Sequence, residues 1–579
     1  MKFHDLRKNL RKNTDGMRVV KMAVVADWSV QMLCQAIRGF AYTKGLNVQI
    51  YEGSYDQMES ELLDPASPLY AFEPDYILVF PCAEKLQEKF HGTPNDLRPS
   101  LAQEEARRIR TLCESAAANS SAKIILSNYC EIHDGIYGNY AALVHGSFTD
   151  IQRELNQKIC EIAAGSSKIF LLDISALQGI YGRRNMHDPR LYYASKTVFA
   201  LDFLPVLAEQ IIKIVTVILG SVKKCIITDL DNTLWGGVIG DDGMEGIQIG
   251  SFGLGMVYSN LQSWIKEHAK RGVAVAVCSK NNEDTAKEPF EKHPDMILRL
   301  EDISVFVANW DDKATNIKRI QQVLNIGFDS MVFLDDNPFE RELVRTMLPD
   351  VTVPELPEDP AEYLPYLQQL ALFETVYVSD EDKRRTSLYR QEADRLQLEQ
   401  KMASIDEYLE SLQLRAAAHP LDSYSIPRAA QLSQRSNQFN LRTKRYTEQD
   451  MEFFAQHPEQ YVTFTVSLKD KFGEYGIICV VVLEKRDEET LFLDTLFMSC
   501  RVLKRSVEEY VFNKMVKLAA EQGIKTILGE YLPTKKNVMV KDLLGKYGFI
   551  EYAADENGTA WKLDVAQYTQ NKTFVEDEV

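Results

Sequence analysis

The chain is short of positive charge: 66 Lys and Arg stand against 84 Asp and Glu, a formal net charge of −18 over 579 residues. That deficit excludes a general nucleic-acid binder, whose phosphate contacts need a basic footprint. It leaves room for local basic pockets that take phosphorylated metabolites or cofactors. Cysteine is sparse too. The nine cysteines form no Cys-x-x-Cys pair and no metal-like spacing, which reads as reduced thiols in a cytosol. Long apolar runs are missing: the longest, 203–220, is broken by Glu209, Gln210 and Lys213, which suits a buried helix and not a membrane span. The basic start MKFHDLRKNLRKN has no apolar stretch behind it, so no secretory leader is legible. These absences describe a cytoplasmic protein with no nucleic-acid and no membrane partner. The length exceeds what one hydrophobic core serves, so several domains are expected.

What is present begins with five apolar runs, at 22–26, 48–51, 76–80, 124–126 and 169–172, separated by longer amphipathic stretches. That alternation predicts a parallel, doubly wound α/β sheet over residues 1–218. The first run ends in Asp27-Trp28-Ser29 and the fourth is followed by Ser127-Asn128, an arrangement that resembles the SGNH-type hydrolases in a flavodoxin-like sheet. The Gly-Asp-Ser block of that family is replaced, and no Asp-x-x-His follows: Asp188 precedes Pro189, Arg190 and Leu191, with His187 on the wrong side. A serine hydroxyl without a positioned imidazole has no general base. This domain is therefore expected to be catalytically degenerate.

The stretch 225–242, CIITDLDNTLWGGVIGDD, organises the rest. An apolar strand-like run ends in Asp229 and Asp231, two carboxylates able to bind Mg²⁺ or to divide the roles of nucleophile and acid. A polar turn after a buried strand uses the same residue types, so the meaning rests on partners. A Gly-rich segment, 236–255, is expected as a hairpin flap. Val257, Leu261, Trp264, Ile265 and His268 recur at helical spacing, with Gly272 placed to end the helix. A buried strand at 273–277 then runs into Cys278-Ser279. Lys313 opens a helix after Trp310-Asp311-Asp312, and a strand at 331–334 ends in Asp335-Asp336.

The order Asp229/Asp231, Ser279, Lys313, Asp335/Asp336 resembles the four motifs of the haloacid dehalogenase (HAD) superfamily. The wording DLDNTLWGGVIGDDG is similar to the FkbH-like proteins of HAD subfamily IIIC. The resemblance implies a Rossmann-like phosphatase domain over 219–375. In it Asp229 is the nucleophile, Asp231 the general acid and then base, and Ser279 and Lys313 hold the phosphoryl oxygens. Asp229, Asp231, Asp335 and Asp336 would hold Mg²⁺. The intervals 232–278 and 280–312 are too short for a cap domain, so the site should be open.

Pro354, Pro357 and Pro360 mark an exit into a charged helical connector, 376–402, whose Lys383, Arg384, Arg385, Arg390 and Arg395 read as a solvated face. In the last domain, 403–566, the segment 432–446 (LSQRSNQFNLRTKRY) resembles one typical of FkbH-like proteins. Strand-like runs at 462–467, 476–483 and 490–496 precede a basic loop, 499–506. Ser506 and Glu509 form a capping-box pattern before a helical stretch, followed by a strand at 525–528, Asn537 and Gly548-Phe549. This order resembles the α+β fold of the GNAT acyltransferases, with Lys504 and Ser506 where the family's loop has Gly. The resemblance implies coenzyme A or a carrier-protein phosphopantetheine at Arg501, Lys504, Arg505, Ser506 and Asn537, with Lys535 and Lys536 nearby. Cys500, beside Arg501 and ahead of a helix, is the candidate thiol nucleophile; Cys278 is the other thiol beside a motif. The acidic tail, 567–579, is expected to be disordered.

The whole reads as a Mg²⁺-dependent phosphatase or phosphotransferase coupled to acyl transfer. The resemblance implies an acyl-phosphate substrate such as 1,3-bisphosphoglycerate, whose glyceryl group passes to a thiol and then to an acyl carrier protein. One alternative is a sugar-phosphate or metabolite phosphatase with GNAT-like acyl transfer in glycan or secondary metabolism. Another is a non-catalytic scaffold, which intact Asp229, Asp231, Lys313 and Asp335 oppose.

Overall fold

Branched apolar residues on both faces of short strands set the architecture, because a strand buried on both sides needs helices above and below it. The computed structural model describes residues 1–376, 391, 395, 398, 402, 404–436, 438–555 and 557–578, and divides into two units, 1–216 and 217–579. The first unit holds a five-stranded parallel sheet, β1 (Arg18–Ala26), β2 (Leu46–Glu52), β3 (Tyr76–Phe80), β4 (Lys123–Ser127) and β5 (Ile169–Leu172), in the order β2-β1-β3-β4-β5. All five apolar runs form strands. Trp28 is buried, donating Nε1–H to the Phe80 carbonyl at 2.9 Å. Asn128 bonds to Asp173 and accepts from the Ile174 N–H, tying β4 to the turn after β5. His187 sets Nδ1 2.7 Å from the Val198 carbonyl, while Asp188 pairs with Arg190, so these two make no acid–imidazole couple.

The second unit carries two sheets. The first is parallel, β6 (Cys225–Thr228), β7 (Ala274–Ser279), β8 (Val305–Ala308) and β9 (Met331–Leu334), in the order β8-β7-β6-β9. The helices Gly253–Lys270 and Lys313–Leu324 pack on it, the former ending at Arg271 just before Gly272 at φ 94°. The second sheet is mixed and eight-stranded: β10 (Arg415–His419), β11 (Tyr461–Asp470), β12 (Gly473–Lys485), β13 (Thr490–Met498), β14 (Thr526–Tyr531), β15 (Ile550–Ala554), β16 (Thr559–Asp564) and β17 (Glu576–Asp577). Its order is β15-β16-β14-β13-β12-β11-β10-β17, and the helix Val507–Glu521 contributes to its core. The molecule is thus multidomain α/β with an α+β C-terminal module. No helix among the described residues is long and apolar enough to cross a membrane.

Four local expectations are corrected. Residues 236–255 form no hairpin; one antiparallel bridge, Gly236 to Gln248, closes a loop around the short helix Ile239–Gly246, kinked at Gly243 (φ 68°). Glycines give a strand pair no side chains to pack, and the Asp242 carboxylate instead takes the Val238 N–H at 2.7 Å. Ser506 and Glu509 make no capping box. Ser506 sits in the left-handed region (φ 55°), where an N-cap hydroxyl cannot reach N3, and its Oγ accepts the Phe574 N–H. Glu509 turns to Lys546 and Tyr547. The acidic tail is ordered: β17 pairs with β10, Val575 is buried, and Asp577 meets Tyr510 and Lys514. Most of the connector at 376–402 lies outside the described residues, but Arg395, expected on its solvated face, is buried and donates to both carboxylate oxygens of Asp470 at 2.6 and 2.9 Å, because its charge finds a counter-ion inside the C-terminal module.

Deleting residues 571–579 should lower stability by about 2–4 kcal/mol, since Val575 and part of Phe574 lose their apolar burial. A thermal melt indistinguishable from that of the full chain would contradict this.

Candidate active site

Parallel pairing decides where the polar groups meet. Thr228 is in register with Val277 on one side and Leu334 on the other, so Asp229, Cys278 and Asp335 stand at one level, the two aspartates just past their strands and Cys278 one residue before the end of β7. The Asp229 N–H donates to the Leu334 carbonyl at 2.9 Å. Lys313 is the first residue of its helix, and the Asp312 side chain caps that helix through the Thr315 N–H at 2.8 Å. The Lys313 side chain is 1% exposed; its Nζ lies 2.8 Å from Asp229 Oδ1 and 3.3 Å from Asp335 Oδ2, and donates to the Cys278 carbonyl at 2.7 Å.

Asp229, Asp335 and Asp336 each offer an oxygen within 4.8 Å of the others. Asn337 N–H holds Asp335 Oδ1 at 2.9 Å, Thr233 meets Asp336, and Arg341 donates to the carbonyls of Asp335 and Asp336 at 2.9 and 2.7 Å. Asp229 Oδ1 and Asp335 Oδ2 are buried and receive no well-aligned hydrogen bond; the Lys313 ammonium is their counter-charge. Three hard oxygen donors with spare lone pairs suit Mg²⁺ or a similar divalent cation.

Burial, then the charge of Asp229, pushes the Asp335 carboxyl up to about 7, with Lys313 opposing. Asp336 is raised by the same two causes. Burial alone would release the Lys313 proton, but Asp229 and Asp335 hold that ammonium above its ordinary range. The Asp231 carboxyl is not part of the trio. Its Oδ1 accepts from Trp235 Nε1 at 2.9 Å and the Ile239 N–H at 3.0 Å, and its Oδ2 from Asn281 Nδ2 at 3.1 Å. Burial raises its pKa, partly offset by the Ile239 and Trp235 bonds, which favours a carboxyl that can carry a proton to a leaving group. Ser279 is buried at the end of β7.

The trio's residues were singled out by their motifs; Thr233, Trp235, Asn281 and Arg341 were not. Trp235 lies four residues beyond Asp231 and Asn281 two beyond Ser279, spacing that carries no signal until the chain folds.

Cys500 is placed elsewhere. Its carbonyl accepts from Asn325, which precedes β9 and so lies at the opposite end of the sheet from Asp229. A four-residue strand alone spans about 13 Å. The loop residues around it are occupied. The Lys504 N–H goes to Glu508 at 2.9 Å, and Arg505 bonds the Tyr475 hydroxyl. Asn537 is buried, accepting from Thr534 N–H at 2.7 Å and donating to the carbonyls of Asn440 and Leu532. Arg501, with Cys500, lines a cavity whose described lining includes none of the other four proposed cofactor contacts. Cys278 is buried, which pushes its thiol up to about 12.

A parallel sheet that gathers Asp-x-Asp, Ser, Lys and Asp-Asp on its C-terminal edge defines a phosphatase domain of the HAD type. Residues 21–216 match the family described as FkbH, N-terminal domain. Among solved structures, the chain is similar to the N-terminal part of the protein BF1531 from Bacteroides fragilis, containing a phosphatase domain and complexed with Mg. Identity is 45% and the TM-score 0.63, over 65% of this chain and 100% of that one. The chain belongs to the FkbH-like family. Two further matches are the ribosomal-protein-S18-alanine N-acetyltransferase from Escherichia coli (15% identity, TM-score 0.21, 27% of this chain and 98% of that one) and the spermidine N-acetyltransferase from Vibrio cholerae in complex with CoA and spermine (13%, 0.22, 27% and 98%). At these values they add nothing to the architecture read from the strands. No curated protein matches the chain.

The raised Asp335 pKa has a stability consequence. An unfolded Asp titrates near ~3.9 and the folded one at about 7, so the metal-free fold binds the extra proton and loses stability as pH rises between those values. A bound divalent cation takes the place of that proton. Melts in chelator and in Mg²⁺ should show a larger Mg²⁺-induced rise at pH 8 than at pH 6; equal rises would contradict the assignment.

Proposed function

We propose that this chain is a Mg²⁺-dependent phosphohydrolase or phosphotransferase that forms an aspartyl-phosphate on Asp229. The observation that carries the reading is the buried Lys313 ammonium between Asp229 and Asp335. It holds the nucleophile in place and offsets charge that grows on the phosphoryl oxygens. Asp229 attacks phosphorus as the P–O bond to the leaving group breaks. Asp231, oriented by Trp235, Ile239 and Asn281, gives that leaving oxygen its proton. With the proton gone, Asp231 takes one from the water that cleaves the aspartyl-phosphate. Mg²⁺, held by Asp229, Asp335 and Asp336, would supply Lewis-acid neutralisation of the phosphate; the relative from Bacteroides fragilis is complexed with Mg.

The finer reading is an acyl-phosphate substrate such as 1,3-bisphosphoglycerate. Asp229 removes the ester phosphate. A thiol displaces the acyl phosphate, forming the S–C bond as phosphate departs. FkbH-like membership supports it, and the thiol geometry bears on the acceptor. Cys278 is buried and Cys500 is at the far end of the sheet, so the acceptor thiol comes from outside, as an acyl carrier protein's phosphopantetheine would.

Asp229→Asn should reduce Mg²⁺-dependent phosphate release to background, and Lys313→Met should lower it by about 10²–10³-fold. Unchanged turnover in Asp229→Asn would remove the mechanism. Incubation with 1,3-bisphosphoglycerate and a holo carrier protein should give a glyceryl adduct on the carrier by mass spectrometry; phosphate release without an adduct would favour a simple metabolite phosphatase. Trp235→Phe should depress turnover of alkyl phosphates more than of aryl phosphates, since only the poorer leaving group needs the proton from Asp231. An equal loss on both would mean that Trp235 serves packing alone.

A further inference from the structure

The second unit holds a cavity of about 530 Å³ where the C-terminal module meets the N-terminal ends of the phosphatase strands. Ile326 and Ser330 precede β9 and Lys224 precedes β6, whereas Asp229 and Asp335 follow those strands. The cavity is therefore a different place from the carboxylate trio. Its lining runs against the composition of the protein. Among the described residues, five cations, Lys224, Arg428, Arg501, Lys535 and Lys536, and two carboxylates, Asp329 and Asp350, line it, in a chain of net charge −18. Asp329 registers the excess: burial opposes its ionisation, yet Lys536, Lys224 and Lys223 hold its carboxyl below the ordinary range. Lys536 pairs with Asp329, and Lys535 has no carboxylate partner among the described residues. The lining also includes the apolar residues Phe328, Phe439 and Met498.

We propose that this cavity is a second ligand site that takes an organic phosphate, with the Cys500 thiol on its wall. Volume and lining agree with a small molecule that carries both an apolar body and an anionic end. Lys535, exposed, and Lys536 supply point charge that an anionic group would meet. The sequence drew attention to Cys500, Arg501 and the lysine pair, but grouped them with Lys504, Arg505, Ser506 and Asn537. Those four are absent from the cavity lining, and Lys224 and Arg428 take their place.

Alkylation of the full chain by iodoacetamide, in chelator so that the metal-dependent site is silent, reads occupancy directly. Seven of the nine cysteines are buried; Cys500 and Cys160 are partly exposed, and Cys160, on a helix of the first unit, is the internal control. Acetyl-coenzyme A, adenosine monophosphate and glycerol 3-phosphate are the probes, against adenosine, glycerol and inorganic phosphate. At least one organic phosphate should slow Cys500 alkylation, by about tenfold at ten times its Kd, leaving the Cys160 rate unchanged. The charge-reversal K535E, on an exposed lysine, should weaken that protection without moving the melting temperature or the Cys160 rate. The proposal is overturned if no organic phosphate protects Cys500, or if adenosine, glycerol or inorganic phosphate protects it equally well. Protection undiminished in K535E also overturns it. Because the experiment contains no free divalent cation, its failure leaves the Asp229 mechanism standing, and the reverse holds too.

Discussion

Three carboxylates crowded within 4.8 Å cannot all ionise in a buried site unless positive charge stands among them. Lys313 is that charge, and the phosphatase unit is arranged to hold it. A helix begins at Lys313 itself, capped by Asp312, and the ammonium reaches the strand ends of β6, β7 and β9 at once. Remove the lysine and Asp229 and Asp335 face each other uncompensated. Lengthen or slip a strand and the side chains at its end turn to the other face. Burial, and after it the charge of Asp229, still raises the Asp335 pKa, and a divalent cation would relieve both.

The same sheet organises space at both ends. Its C-terminal edge carries the carboxylates, and between Asp231 and Lys313 the chain forms a bridge-closed loop, helices and the strands β7 and β8, with no separate cap domain. Its N-terminal edge meets the C-terminal module and walls the cationic cavity. The carboxylates and Cys500 therefore lie at opposite ends of one sheet. Any route that joins them needs a substrate or carrier that travels between them.

Much of this was legible in the sequence because it depends on local pattern. The apolar runs of the first unit are its five strands, and the four motifs stand at the strand ends and helix start where their residue types suggested. Gly272 ends its helix as its freedom at positive φ allows. What was illegible depends on partners distant along the chain. Trp235 and Asn281 look like core and loop residues until they close on Asp231. Ser506 has the pattern of a cap, but Phe574 claims its hydroxyl from 68 residues away and the backbone goes left-handed. The tail is acidic, as a disordered segment would be, yet Val575 finds the core and Asp577 finds Lys514. Cys500 has a reactive neighbourhood by sequence; only the packing of two modules shows that it is far from the phosphate chemistry.

The central claim, that Asp229 is the nucleophile of a metal-assisted phosphoryl transfer, is tested most directly by trapping. Acid quenching of the chain during turnover with Mg²⁺, followed by borohydride reduction and peptide mass spectrometry, should convert residue 229, and no other carboxylate, to homoserine. Turnover with residue 229 recovered as unmodified aspartate, or with the reduced residue found elsewhere, would contradict the account.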